Sequence, residues 1–253
     1  MGRTVNVAED IRAILHFYRS LGFERLPIEI RKQGAGREGA GDSRERIAGA
    51  VSSHDDPSTP RPREPFSGDK IAALQTLRGE IGDCRRCKLC RERKCIVFGE
   101  GSPGAILLFI GEAPGREEDI QGRPFVGDAG KLLTRLIEKM GFRREDVYIG
   151  NIIKCRPPLN RDPEEDEIRT CLPFVERQVE IISPKIIVSL GRIAAQTLMG
   201  TRVPISKLRG KFSEYKGIPL MPTFHPAYLL RNPRDKWLVW EDAQKIMEKL
   251  RER

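Results

Sequence analysis

Residues 105–140, AILLFIGEAPGREEDIQGRPFVGDAGKLLTRLIEKM, decide the fold. AILLFI (105–110) is an unbroken apolar run, which reads as a buried strand. Gly111-Glu112-Ala113-Pro114-Gly115 interrupts it with turn residues, and AGKLLTRLIEKM (129–140) resumes with apolar side chains three and four apart, the period of a helix. A strand, a Gly-containing turn and a helix in succession form the unit from which parallel sheets are built.

The same alternation continues outward. DVYIGNI (146–152), KIIVSL (185–190) and IPLMPTF (218–224) read as further strands. PEEDEIRTCLPFVERQVEII (163–182), RIAAQTLM (192–199) and a final stretch near 235–253 read as helices. The expectation is an α/β protein: a three-layer α/β/α sandwich on a central, mostly parallel four-stranded sheet, carried by residues 69–253. Residues 32–68 hold 15 Gly, Pro or Ser in 37 positions and read as a flexible linker. Before them, Ile11, Ile14, Leu15, Tyr18 and Leu21 recur at helical spacing, so residues 1–31 predict a short amphipathic helical extension. Such a helix could dock on a partner or on the main domain.

A chain of 253 residues with 39% hydrophobic content can bury the core of one α/β domain. No stretch approaches the roughly 18 apolar residues that span a bilayer, and the opening MGRTVNVAEDIRA carries acids where an export signal would be apolar. The expectation is a cytoplasmic monomer with no membrane partner. A formal charge of +9, with 34 basic against 26 acidic side chains in residues 69–253, suits a polyanion such as DNA.

Open α/β sheets bind ligands beyond the carboxyl ends of their strands. There the sequence places Glu112 after the first strand, Asn151 near the end of the second, Gly191 after the third and His225-Pro226 after the fourth. Taken singly, a loop glutamate, a strand-end asparagine and a histidine before proline are ordinary structural residues. Together they supply an amide for a nucleobase edge and a donor for a leaving group that gains negative charge.

Six cysteines stand at 84, 87, 90, 95, 155 and 171. Cys84 and Cys87 form a Cys-x-x-Cys pair, Cys155 leaves the second strand, and Cys171 falls in the helix that follows. Four thiolates without histidine suit tetrahedral zinc or a [4Fe–4S] cluster, and spacing alone leaves both open. Free buried cysteines explain Cys90 or Cys95 but not the Cys-x-x-Cys.

GEAPGREEDIQGRPFVGDAGKLL, YIGNIIKCRPPLNRDP and HPAYLLRNP, in this order behind the Cys-x-x-Cys, resemble the three signature regions of family 4 uracil-DNA glycosylases. The resemblance spans about residues 80–250. It implies excision of uracil from single- or double-stranded DNA, leaving an abasic site, and a structural [4Fe–4S] cluster on Cys84, Cys87, Cys155 and Cys171. It also implies that Gly111, Glu112 and Ala113 line the uracil site, that Phe125 stacks on the ring, that Asn151 pairs with its edge and that His225 faces O2. In other branches of this superfamily an Asp or Asn positions the attacking water where this chain has Ala113, so Glu112 becomes the leading candidate for that task, with a backbone carbonyl as the alternative. Glu118 or Asp119 is the candidate for crowding the thymine methyl.

Flipping the base out of a duplex leaves a gap, for which Leu229, with Tyr228 and Leu230 beside it, is the expected wedge. Arg231, Arg156, Arg161, Lys207 and Arg209 are candidate phosphate contacts, whose binding should weaken steeply with salt. Three other readings compete. A non-catalytic zinc or iron-sulfur DNA-binding module would bind without releasing base. A branch that traps uracil-DNA covalently carries a histidine between the positions of Cys155 and Cys171, and this chain has none there. A metal-dependent nuclease would need a carboxylate or histidine cluster, and only three histidines are present.

Overall fold

The computed structural model describes residues 68–252. The helix expected within 1–31 and the linker expected over 32–68 lie outside the described residues, except that Gly68 already begins a helix.

Four strands, β2 (Leu107–Gly111), β3 (Tyr148–Asn151), β4 (Ile186–Leu190) and β6 (Ile218–Thr223), pair in parallel in the order β3-β2-β4-β6. They are the four strands expected from the sequence. β2, β3 and β4 are buried at every position, which explains why they read as continuous apolar runs rather than alternating ones. Two short antiparallel strands, β1 (Glu100–Gly101) and β5 (Ser213–Tyr215), extend the sheet at its two edges to six. At two and three residues they are too short to leave a periodic signal, and short edges limit unwanted pairing.

The helices are α1 (Gly68–Ile81), α2 (Arg116–Gln121), α3 (Asp128–Lys139), α4 (Glu165–Ile182), α5 (Arg192–Met199), α6 (Ile205–Leu208), α7 (Pro226–Arg231) and α8 (Lys236–Arg251). Successive strand residues face opposite layers. Leu108, Ile110, Ile187 and Leu220 pack with Leu77 of α1, Val175 and Val179 of α4, and Leu198 of α5. Leu107, Phe109, Val188 and Met221 pack on the other side with Leu133 and Ile137 of α3 and Ile246 of α8. This is the expected α/β/α arrangement. α1 is not among the helices expected from the sequence, although its Leu74, Leu77 and Ile81 recur at helical spacing and are buried, with Ile71 42% exposed.

From β2 the chain passes first to β3 on one side, then to β4 on the other. The crevice at this reversal, beyond the ends of β2 and β4, is where such sheets place their ligands. Gly111 ends β2 and Gly191 follows β4.

Candidate functional site

Two glycines bring the site together. A Cβ on Gly111 would stand 2.5 Å from Asn151 Oδ1 and 2.5 Å from Phe125 Cζ, so the amide and the ring both crowd the side of Gly111 where a side chain would stand. A Cβ on Gly191, whose φ is +90°, would stand 2.9 Å from the Cβ of His225. Phe125 and His225 lie with ring centroids 5.5 Å apart and planes tilted by 32°. Gly111, Phe125, Asn151 and His225, expected in one pocket, are thus gathered at the switch point.

Asn151 is 1% exposed, and its Oδ1 has no hydrogen-bond partner. A buried polar acceptor left without a donor costs about 1–3 kcal/mol, so it marks a place where a ligand donor is expected. β3 holds this side chain against β2, with Gly111 and Asn151 in register. The pairing continues past the strand ends, where Ile152 N–H donates to Gly111 O at 2.9 Å and Ile153 N–H to Glu112 O at 3.1 Å.

His225 is the N-cap of α7, with Pro226 in the first turn, and its Nδ1 accepts the Ala227 N–H at 3.1 Å. Burial, reinforced by the Arg231 charge, lowers its pKa to about 4. A neutral ring whose Nδ1 accepts must carry its proton on Nε2, which becomes a hydrogen-bond donor.

Phe125 sits at φ +50°, a costly conformation for a bulky residue. Its neighbours hold it there. Glu118 Oε1 accepts from Val126 N–H at 2.8 Å and Gly127 N–H at 3.0 Å. Arg144 Nη2 donates to Pro124 O at 2.6 Å and to Glu100 Oε1 at 2.8 Å. Gly130 lets the Phe125 backbone lie directly on α3, where any Cβ would collide with Phe125 O. Sequence reading missed this clamp, which joins Glu118 on one short helix to Arg144 far along the chain. Of the two carboxylates considered for excluding thymine, Asp119 is already engaged by the backbone of residues 94 and 95. It is 2% exposed, with Oδ1 accepting from Lys94 N–H at 2.9 Å.

Glu112 is half-buried, and desolvation, with the charge of Asp162, raises its pKa to about 7 against the opposing effect of Arg192. Arg192 also pairs with Asp162. The loop after Cys155 therefore forms the wall next to Glu112. Ala113 packs against the main core and offers no polar side chain to a water.

Cys84, Cys87, Cys155 and Cys171 line one cavity, with Ile81, Ile96 and Phe174 among its apolar walls. Cys90 and Cys95 do not line it. Among the described residues, no three of His, Cys, Asp or Glu are placed to hold a metal ion. Burial raises the Cys155 pKa to about 12 and raises those of Cys87 and Cys171, with neighbouring thiols adding to each. Three sulfurs face donors: Arg86 Nη1 at 3.3 Å from Cys84, Arg93 Nη1 at 3.5 Å from Cys155, and Lys154 N–H at 3.3 Å from Cys171.

Two expectations are corrected. Leu229 is 3% exposed, packed with Leu132, Phe224 and Val239, and so is a core residue; the exposed apolar side chain of that segment is Leu230, at 45%. Tyr228 stacks on Phe224 at 4.8 Å and donates its hydroxyl to Asp235 at 2.5 Å. Among the basic candidates, Arg161 is engaged by both carboxylate oxygens of Glu167, at 2.9 and 2.6 Å. Arg209 is engaged by Asp242 and, at 2.6 Å, by Leu238 O. These two arginines brace loops. Lys207 and Arg231 remain exposed, and Arg156 holds Asn160 Oδ1 at 2.7 Å.

Residues 98–249 match the model of the uracil DNA glycosylase superfamily. The type-4 uracil-DNA glycosylase of Saccharolobus solfataricus is 50% identical over 186 residues, 70% of this chain and 86% of that protein. The type-4 enzyme of Thermotoga maritima is 45% identical over 176 residues, covering 68% and 92%, and that of Archaeoglobus fulgidus 43% over 186, covering 70% and 94%. The chain belongs to the uracil DNA glycosylase superfamily, on its type-4 branch.

Proposed function

We propose that this protein excises uracil from DNA by hydrolysing the N-glycosidic bond, leaving an abasic site. The observation that carries the reading is the orphaned Oδ1 of Asn151, buried beside Gly111 and the Phe125 ring. Uracil presents an N3–H donor beside an O4 acceptor, which Asn151 matches with Oδ1 and its amide nitrogen. Cytosine offers an acceptor and a donor in those places, so it would leave both amide groups unpaired.

The bond breaks toward an oxocarbenium-like sugar and an anionic uracil. The Nε2–H of His225 faces O2 and strengthens as charge collects there; one such preorganised donor contributes about 2.7–4 kcal/mol in comparable sites. Its neutrality suits the task, since a neutral imidazole can donate without surrendering its proton to the leaving base. Phe125 stacks on the ring. Glu112, once ionised, orients the water that captures the sugar. Glu118, fixed at the Phe125 loop, is the remaining candidate for crowding the thymine methyl.

The four-cysteine cavity supports a [4Fe–4S] cluster on Cys84, Cys87, Cys155 and Cys171. The donor set is all sulfur with no histidine, which suits zinc or a cluster alike, and the likeness to type-4 uracil-DNA glycosylases favours the cluster. When bound, the cluster supplies a rigid cross-link between the segment before β1, the exit from β3 and helix α4. It takes no part in bond cleavage. Leu230 takes the wedge role first given to Leu229, and Lys207 and Arg231 contact phosphate.

We further read the protein as a cytoplasmic monomer, with residues 1–31 as a helical docking extension for a repair or replication partner and 32–68 as its linker. Among the described residues no helix is long and apolar enough to cross a membrane. The reading is tested by product analysis. Free uracil should accumulate from a uracil-containing oligonucleotide with the backbone left intact until alkali is added. Strand cleavage without base release would contradict it.

A further inference from the structure

The loop between β3 and α4 carries a second exposed apolar side chain. Leu159 is 95% exposed, the most exposed of the large hydrophobic residues described, and stands at φ +52° with Asn160 beside it at φ +55°. Two consecutive non-glycine residues in the left-handed region are uncommon, and a leucine there is strained. A lone exposed leucine needs no explanation. One held up on a strained backbone by a braced loop does, since strain of this kind gathers where a ligand is gripped.

The bracing is extensive. Pro157 and Pro158 precede Leu159, and Asn160 N–H and Arg161 N–H close back on Pro157 O and Pro158 O at 3.1 and 3.0 Å. Arg156 fixes the Asn160 side chain, Glu167 fixes Arg161, and Arg192 pairs with Asp162. That last pair places the loop at the pocket. Arg192 directly follows Gly191, which abuts His225, and both Asp162 and Arg192 act electrostatically on Glu112. Leu159 thus projects from the rim on the Glu112 side, and Leu230 from the segment that follows His225.

We infer that Leu159 is a second DNA-contacting wedge, which presses on the duplex beside the flipped nucleotide while Leu230 fills the vacated stack. The inference rests on the uracil-excision reading. Apolar side chains inserted at base steps are a recurrent means of holding duplex DNA open, and the benefit exists only where there is a stack to open. A single-stranded substrate has none.

The test compares uracil release by the full chain and its Leu159→Gly and Leu159→Asn variants, on one sequence as a duplex and as a single strand, with melting temperatures measured alongside. Glycine and asparagine tolerate the left-handed backbone, so neither variant should melt lower than the parent. Excision from the duplex should fall about tenfold, while excision from the single strand stays within about twofold. An unchanged duplex-to-single-strand ratio would overturn the inference. So would an equal loss on both substrates with a lowered melting temperature, which assigns Leu159 to the fold. No release by the parent from either substrate would instead overturn the uracil reading beneath it.

Discussion

Lys154 donates its ammonium to the main-chain carbonyl of Asn151 at 2.9 Å, from a position only 2% exposed. The same nitrogen donates to Gln178 Oε1 at 2.6 Å, and Gln178 passes the chain on to Phe98 O at 2.9 Å. Lys154 N–H also faces the sulfur of Cys171. One residue therefore ties the carrier of the pocket amide to the cysteine cavity. Lys154→Met should lower stability by about 1–3 kcal/mol, since it orphans Gln178 Oε1 and the Asn151 carbonyl in the interior. A denaturant titration checks this, and an unchanged midpoint would show that the buried ammonium contributes nothing.

Asn151→Ala should behave in the opposite way. It removes an acceptor without a partner, so the fold should keep its melting temperature, while uracil excision falls by two orders of magnitude or more, by analogy with loss of a polar substrate contact. Calorimetry and single-turnover kinetics on one preparation separate the two effects.

The pH profile should report Glu112. Its pKa is raised to about 7, and water activation needs the carboxylate, so excision should rise with pH through about 7 and level off above. His225, lowered to about 4, stays neutral throughout that range and adds no limb. Stability runs the other way: the unfolded carboxyl ionises near 4.5, so stability should fall from there to about pH 7 and then plateau. Glu112→Gln should slow excision and abolish both trends. A variant that keeps the acid limb would assign it to another group.

Phosphate contacts should divide along the line drawn by the ion pairs. Lys207→Ala and Arg231→Ala should each reduce the salt slope of DNA binding by about one. Arg209→Ala should leave that slope alone and lower the melting temperature, because Arg209 joins Asp242 and Leu238 O inside the fold.

Cys171→Ala should lose any visible absorption near roughly 400 nm, the region in which iron-sulfur clusters absorb, and should melt lower than the parent. A colourless parent containing zinc would contradict the cluster assignment.

The four parallel strands and the helices α3, α4 and α5 between them were legible because each is largely buried or amphipathic, and both leave an apolar pattern along the chain, whereas the short α2 and α6 did not stand out. Glu112, Asn151 and His225 were placed together by strand ends alone, and Phe125 through the family resemblance. What the sequence hid was pairing across distance. Nothing near Arg161 or Arg209 reveals that Glu167 and Asp242 engage them, and nothing in Tyr228-Leu229-Leu230 tells which leucine the core takes. Arg144, Lys154 and the clamping role of Glu118 escaped for the same reason: each supports the pocket through a backbone amide or carbonyl, which carries no residue signature.

The most direct test of the central claim pairs two oligonucleotides that differ only in one uracil or thymine, incubated with the protein and then treated with alkali. The account predicts a break at uracil, none at thymine, and loss of the uracil break in His225→Ala. An intact uracil strand with the parent protein, or full activity in His225→Ala, would contradict it.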